Sequence, residues 1–187
     1  MSEEENLIEL SFNDIFENDI QIRQAGKYEV VLKKGVSLND LFLYSSGLSA
    51  KKINGEILVN GFSVSNDNFA RRYLQQNALF LSGDTFLFPQ ASVYQQLKAI
   101  SLMYGGYNLA DAGISSFSIN ELRDRKISTL NKEERKIIIL SFVVVCPSLI
   151  WFIHKDLLNS LPKKFNDVFE NALNIRIKHG GACLIVA

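Results

Sequence analysis

The apolar run from Ile137 to Ile153, IIILSFVVVCPSLIWFI, constrains this chain more than any other segment. It approaches the length of a membrane span, but Pro147 interrupts it and cannot sit inside a regular helix. The run therefore predicts a buried helix leading into a buried strand, and no other segment competes for a span. Such a run needs a large core to cover it. The chain has 187 residues, 47% of them hydrophobic, which suffices for one domain with a sizeable interior. That apolar content excludes disorder. With 20 basic and 20 acidic residues and a pI near 6.7, there is no broad cationic field to attract a nucleic acid backbone. The opening residues MSEEEN are acidic where a targeting segment is basic, so a cytoplasmic protein is expected. Cys146 and Cys183 lie in apolar runs without metal-ligand spacing. They read as buried thiols, with a disulfide as the alternative.

Elements can be placed along the chain from these patterns. Leu7–Phe12, Ile20–Ile22 and Tyr28–Leu32 alternate like strands, with turns at Asn18-Asp19 and Ala25-Gly26, and Gly35 is expected to close the third. Ser37 and Asn39 are candidate N-caps of a short helix, Leu41–Tyr44, that Gly47 stops. Glu56–Val59 is a strand ending in the tight turn Asn60-Gly61. Ala78–Leu81 reads as a strand and Ser92–Met103 as a helix broken by Gly105-Gly106. A long helix from Asn131, a doubly buried strand Leu149–Ile153, an amphipathic helix Phe165–Lys178 and a last strand Ala182–Val186 complete the order. Continuous apolar strands alternating with helices predict an α/β domain with a largely parallel sheet.

This order resembles the ATP-binding subunit of an ABC transporter over nearly the whole chain. LIELSFNDIF resembles the family's opening strand, with Phe16 where an aromatic stacks on adenine. YEVVLKKG resembles the strand entering the phosphate loop, and NGEILVNG is close to the family's wording after the first helix. FLFPQASVYQQL resembles the region after the Q-loop, where a transmembrane partner docks. ISTLNKEERKIIILSFVVVCPSLIWFI resembles the signature loop, its helix and the Walker B strand, and HGGACLIVA the strand before the switch histidine. The resemblance implies a P-loop NTPase-like ABC ATPase fold. Its expected parts are an N-terminal antiparallel β-subdomain, a largely parallel core sheet and a helical subdomain inserted at about 86–145, in a single domain over 1–187.

The chemistry departs from that resemblance at each catalytic position. A phosphate loop needs glycines whose N–H groups face the phosphates, a lysine for the β- and γ-phosphates, and a Ser/Thr hydroxyl for magnesium. Between Gly35 and the helix, Val36-Ser37-Leu38-Asn39-Asp40 has no glycine and no lysine, and the loop is roughly three residues short of the motif. Leu38 falls at the lysine position, and Asn39 and Asp40 replace the Ser/Thr pair. The Walker B strand ends in Ile153 and His154 instead of a magnesium-binding aspartate and a general-base glutamate. In the signature loop, Asn131, Lys132 and Glu133 replace the serine and two glycines, while Glu134 and Arg135 retain the glutamate and arginine that come next in the family. Near Ser82 and Gly83 no Q-loop glutamine is found, and the sequence reaches Ala187 before a switch histidine.

The reading that results is an ABC ATPase-like subunit without hydrolysis. It is expected to act as a structural or regulatory partner of a transmembrane permease, peripheral to the membrane, as a homodimer or paired with an active ABC ATPase. No cofactor and no metal are expected. The alternative retains ATP and magnesium by an altered route through Lys33, Lys34, Lys132 or His154. Lys33 and Lys34 read equally as a solvated strand end, and His154 as a surface or packing histidine. Phe86, Leu87, Phe88, Tyr94 and Tyr104 are the candidate permease-docking residues, with Val93, Met103 and Tyr107 nearby; the other reading is that they fill the helical subdomain's own core. Trp151 on the Walker B strand and the compact middle are similar to the small ATPase of the haem exporter in cytochrome c maturation. Haem itself has no ligand pair here, because His154 and His179 carry no supporting motif.

Overall fold

A computed structural model describes residues 8–48, 53–83, 87–105, 107–159 and 161–187. Two four-stranded sheets organise it. The first is antiparallel and joins β1 (Leu10–Asn13), β2 (Ile20–Ile22), β4 (Glu56–Val59) and β5 (Phe62–Ser63) in the order β2-β1-β4-β5. The second is wholly parallel and joins β3 (Gly26–Val30), β6 (Ala78–Leu81), β7 (Ile150–His154) and β8 (Ala182–Val186) in the order β3-β8-β7-β6. The helices are α1 (Leu38–Ser46), α2 (Asn68–Asn77), α3 (Val93–Gly105), α4 (Ala110–Ser116), α5 (Lys132–Val145) and α6 (Lys163–Lys178). This is the ABC ATPase-like α/β arrangement that the sequence predicts.

The parallel sheet is covered on both faces, which is why its strands are continuously apolar. Leu79, Leu81, Trp151, Ile153, Cys183 and Ile185 pack toward α3, α4, α5 and α6. Phe80, Phe152 and Leu184 face the other way, into a core shared with the antiparallel sheet, α1 and α2. The long apolar run resolves at Pro147: α5 ends at Val145, Cys146 caps it, and β7 starts at Ile150. Gly105 lies so close to this corner that a Cβ on it would meet Pro147 Cγ at 2.8 Å. Among the described residues, no helix is long and apolar enough to cross a membrane. Both cysteines are buried free thiols.

Several local expectations change. The third N-terminal strand leaves its sequence neighbours and pairs in parallel with β8, from Gly26 opposite Ala182 to Val30 opposite Val186. It stops at Val30, so Gly35 does not close it; Leu32 instead bridges back to Phe16. The first helix begins at Leu38, three residues before the expected Leu41, because Ser37 rather than Asn39 is its N-cap. Gly47 ends it in the left-handed region (φ 72°), where its N–H reaches the carbonyls of Leu43 and Tyr44. Helix α2 has no counterpart in the sequence reading. It buries only Ala70 and Leu74, and Asp67 caps it by accepting from the Ala70 N–H at 2.8 Å.

Candidate functional site

A cleft of about 1000 Å³ opens at the carboxyl ends of the parallel strands. In open α/β sheets that edge is where loops converge and ligands bind. Three walls form it: the loop from β3 to α1, the first turns of α5, and the residues immediately after β6 and β7.

In the first wall, Lys33 N–H donates to the Ile15 carbonyl at 3.0 Å and Val36 N–H to the Lys33 carbonyl at 3.0 Å. Gly35 makes this turn possible with φ 87°, a conformation that strains any other residue. Lys33 Nζ is paired with Asp14 Oδ1 at 2.6 Å. At the start of α1 the helix closes on itself. The Asp40 carboxylate accepts from Ser37 N–H at 2.9 Å and from Ser37 Oγ at 2.8 Å, while Ser37 Oγ accepts from Asp40 N–H at 3.1 Å. An N-terminal anion position of this kind is what a phosphate would use. Here Asp40 sets a negative charge of the chain in that first turn, bonded back to the N-cap residue Ser37. Leu38, the residue expected at the lysine position, is buried in the core, and Asn39 is exposed on the rim.

The second wall repeats the device. Asn131 Oδ1 accepts from Glu134 N–H at 2.9 Å, and Glu134 Oε2 accepts from Asn131 N–H at 2.8 Å. Arg125 clamps the same carboxylate, its Nη1 standing 2.8 Å from Glu134 Oε1. The carboxyl of Glu134 is held below its ordinary value, first by the Asn131 N–H and, against the opposing effect of burial, by Arg125. Lys132, Arg135 and Lys136 project from these turns into the lining. Lys136 is paired with Glu133 at 3.3 Å.

In the third wall, Ser82 and Gly83 come directly after β6, and His154 ends β7. His154 Nδ1 accepts from the Asp156 N–H at 3.3 Å and lies 3.6 Å from Asp156 Oδ2. Strand alternation turns Ile153 away into the helical-side core, so of the two residues expected at the Walker B positions His154 reaches the cleft and Ile153 does not. Phe16 also lies elsewhere. Its ring is buried and packs edge-on against Phe12, with centroids 5.4 Å apart, and offers no face to a base.

The cleft thus brings Gly35, Ser37, Leu38, Asn39, Lys132, Arg135 and His154 together within one chain; Asp40 faces a smaller neighbouring hollow with Lys34 and Asn54. Lys136, Asp156 and Ala187 were not singled out by sequence reasoning. The adjacency of Asp156 to His154 was the available signal. Among the described residues, His154 and Asp156 are the His, Cys, Asp or Glu side chains of the lining, and no group of three such side chains able to hold a metal is found.

The docking candidates divide. Leu87, Tyr94 and Tyr104 pack against the helical-side core. Arg123 lies over the Tyr94 ring at 4.3 Å, and burial, then the nearby Cys146, pushes the Tyr104 hydroxyl up to about 12. Val93 is fully buried, whereas Phe88, Met103 and Tyr107 are exposed. Phe86 lies outside the described residues.

No protein-family model matches the chain. It is similar to the cytochrome c biogenesis ATP-binding export protein CcmA of Rickettsia bellii, 25% identical over 71% of this chain and 64% of that protein. The chain thus matches less than two thirds of that relative's length. The protein of the same name from Rickettsia conorii is 21% identical over 96% of this chain and 90% of its own length. Among solved structures, a putative ABC transporter ATP-binding protein from Pyrococcus furiosus superposes with TM-score 0.66 at 16% identity, covering 96% of this chain and 90% of that one. The ATP-binding subunit of another ABC transporter gives TM-score 0.69 at 12% identity, covering 96% and 79%. The chain therefore has the fold of an ABC-transporter ATP-binding subunit and resembles, in sequence, the ATP-binding export proteins of cytochrome c biogenesis.

Proposed function

We propose that this chain is an ABC ATPase-like subunit that does not hydrolyse ATP and that serves a membrane permease as a structural or regulatory partner. The observation that carries this reading is the β3–α1 loop: the expected lysine position holds the buried Leu38, and the first turn of α1 carries the Asp40 carboxylate, bonded back to Ser37. Phosphoryl transfer depends on positioning and on neutralising charge at the phosphates. A carboxylate at that point opposes both. At the β7 end, His154 has neither a magnesium ligand nor a carboxylate base at the positions where the family carries them.

The relatives' names suggest the setting, an export system of cytochrome c biogenesis. Within it the chain pairs with a second ATPase subunit and stays peripheral to the membrane through the permease. Phe88, Met103 and Tyr107 are among the exposed apolar side chains on the helical side and support contact with a partner. The test is affinity purification of the full chain from its native membranes in mild detergent, with ATPase assay of the isolated protein. Recovery of an integral membrane subunit together with no magnesium-dependent turnover is expected. Turnover by the isolated chain that His154→Ala abolishes would instead support the altered-site enzyme.

A further inference from the structure

We propose that a second copy of this chain docks along the outer edge of β3, the two strands pairing antiparallel about a two-fold axis at Tyr28. The direction of the strand's hydrogen bonds carries this. Gly26 N–H donates to the Gly181 carbonyl at 3.1 Å, Leu32 N–H to the Ala187 carbonyl at 3.1 Å, and Ala187 N–H to the Val30 carbonyl at 2.9 Å. Even-numbered residues of β3 therefore turn their backbone groups toward β8, and odd-numbered residues turn theirs outward. From the Val31 carbonyl onward the chain covers this outer edge itself: Glu17 N–H donates to that carbonyl at 2.8 Å, and Lys33 N–H to the Ile15 carbonyl at 3.0 Å. Before that point, the outward N–H and C=O groups of Lys27 and Glu29 have no partner among the described residues, and both side chains are exposed. Such an edge is a template for another strand.

Charge selects the occupant. In an antiparallel ladder, outward-facing residues meet in directly opposed pairs that exchange both backbone bonds. With the axis at Tyr28, Lys27 stands opposite Glu29 of the second copy, and Glu29 opposite its Lys27. Each pair then sets opposite charges side by side. Moving the axis to Lys27 or to Glu29 would set lysine on lysine or glutamate on glutamate, so charge fixes the register as well as the partner. Lys27 Nζ already stands 2.8 Å from Glu170 on α6, whereas Glu29 has no ion pair among the described residues. On the other face Tyr28, partly buried, meets its own counterpart as an aromatic pair. An isologous contact of this kind closes on itself, so it makes a dimer and not a fibre. Residues 26–30 do not line the cleft, so the pairing needs no ligand there. The inference does not depend on the permease role, which is read by co-purification.

The test is sedimentation velocity of the full chain without nucleotide, over about 1 to about 300 μM at low ionic strength. A concentration-dependent equilibrium between monomer and dimer is expected. Glu29→Lys, a change at an exposed side chain, sets lysine opposite lysine and should weaken the dimer about tenfold or more. Lys27→Glu should do the same, with its fold checked by urea unfolding because it also loses Glu170. Mixed in equal amounts, the two variants bring opposite charges together again and should associate within about threefold of the parent. A second measurement reads the register without a charge change. Tyr28→Cys should form an intersubunit disulfide on mild oxidation, because a non-hydrogen-bonded antiparallel pair brings its Cα atoms to about 4.5 Å. Cys146 and Cys183 are buried, and Lys98→Cys, exposed on α3, should not cross-link. A monomer throughout, a Glu29→Lys variant that dimerises like the parent, a mixture no tighter than either variant alone, growth beyond a dimer, or no cross-link through position 28 would each overturn the proposal.

Discussion

Arg176 on α6 donates from Nη2 to the carbonyl oxygen of Val144 at 3.0 Å, and from Nε to that of Val143 at 3.3 Å. The last carbonyls of α5 have no partners within their own helix, and Pro147 prevents another turn from supplying them. A guanidinium from a distant helix satisfies them and complements the helix dipole. Burial lowers the Arg176 pKa, so the group is held there against some desolvation cost. Arg176→Ala should destabilise the fold by about 1.5–3 kcal/mol, and Arg176→Lys by less, because one donor can still reach. Urea unfolding followed by Trp151 fluorescence measures both. Equal losses in the two variants would mean that an ammonium group cannot replace either guanidinium contact.

Gly113 in α4 is packed against α5. A Cβ there would meet Val145 Cγ1 at 2.7 Å and Leu97 Cδ1 at 3.4 Å. Alanine favours a helix interior over glycine by about 1 kcal/mol, but valine has little rotamer freedom with which to withdraw. Gly113→Ala is expected to lower stability by about 1–2 kcal/mol net. A rise in the urea midpoint would show that α4 moves away at no cost.

Glu134 links the cap of α5 to acid sensitivity. Its folded pKa lies below its ordinary value of 4.5, so its stabilisation is complete above that value and is lost as pH falls through the lower folded one. Glu134→Gln should be about 1 kcal/mol less stable near neutral pH. It should also lose less stability than the parent between about pH 5 and about pH 3. Stability profiles that run parallel through that range would remove Glu134 from the acid response.

The two thiols should be inert in the folded protein. Burial pushes Cys146 up to about 11 and Cys183 up to about 12. Neither supplies thiolate near neutral pH. An aromatic disulfide reagent at about pH 8 should label neither in the native state and both in denaturant. Rapid native labelling of Cys183 would mean that β8 opens far more readily than its burial implies.

The parallel core was legible because its strands had to be apolar on both faces. Ala182–Val186 is found with the bounds predicted, and the break at Pro147 lies where the pattern placed it. Pairing was not legible for β3. Its alternation is a local property, whereas its partner β8 lies at the far end of the sequence. Helix α2 was hidden for a different reason. NFARRYLQQN is mostly polar, and its buried face is reduced to Ala70 and Leu74, with Tyr73 packed at the edge. The Asp67 cap three residues before Ala70 was a readable start signal. At the site, the departures expected from the phosphate-loop motif were read from the sequence, but the placement of the two capping carboxylates was not. Sequence shows an Asp three residues after a Ser and a Glu three after an Asn; only coordinates show those side chains turned back onto the caps.

The placement of β3 at the sheet's edge, with β8 as its one neighbouring strand among the described residues, has a consequence for biogenesis. On the ribosome, β1, β2, β4 and β5 can assemble soon after they emerge, since all of them precede α2. β3 emerges among them and must wait for β8, leaving its hydrogen-bonding edge unmatched through most of synthesis. A non-local parallel pairing of this kind is slow to form. The nascent chain should therefore depend on chaperones until Val186 has cleared the exit tunnel, and a truncation that removes β8 should aggregate rather than fold in part.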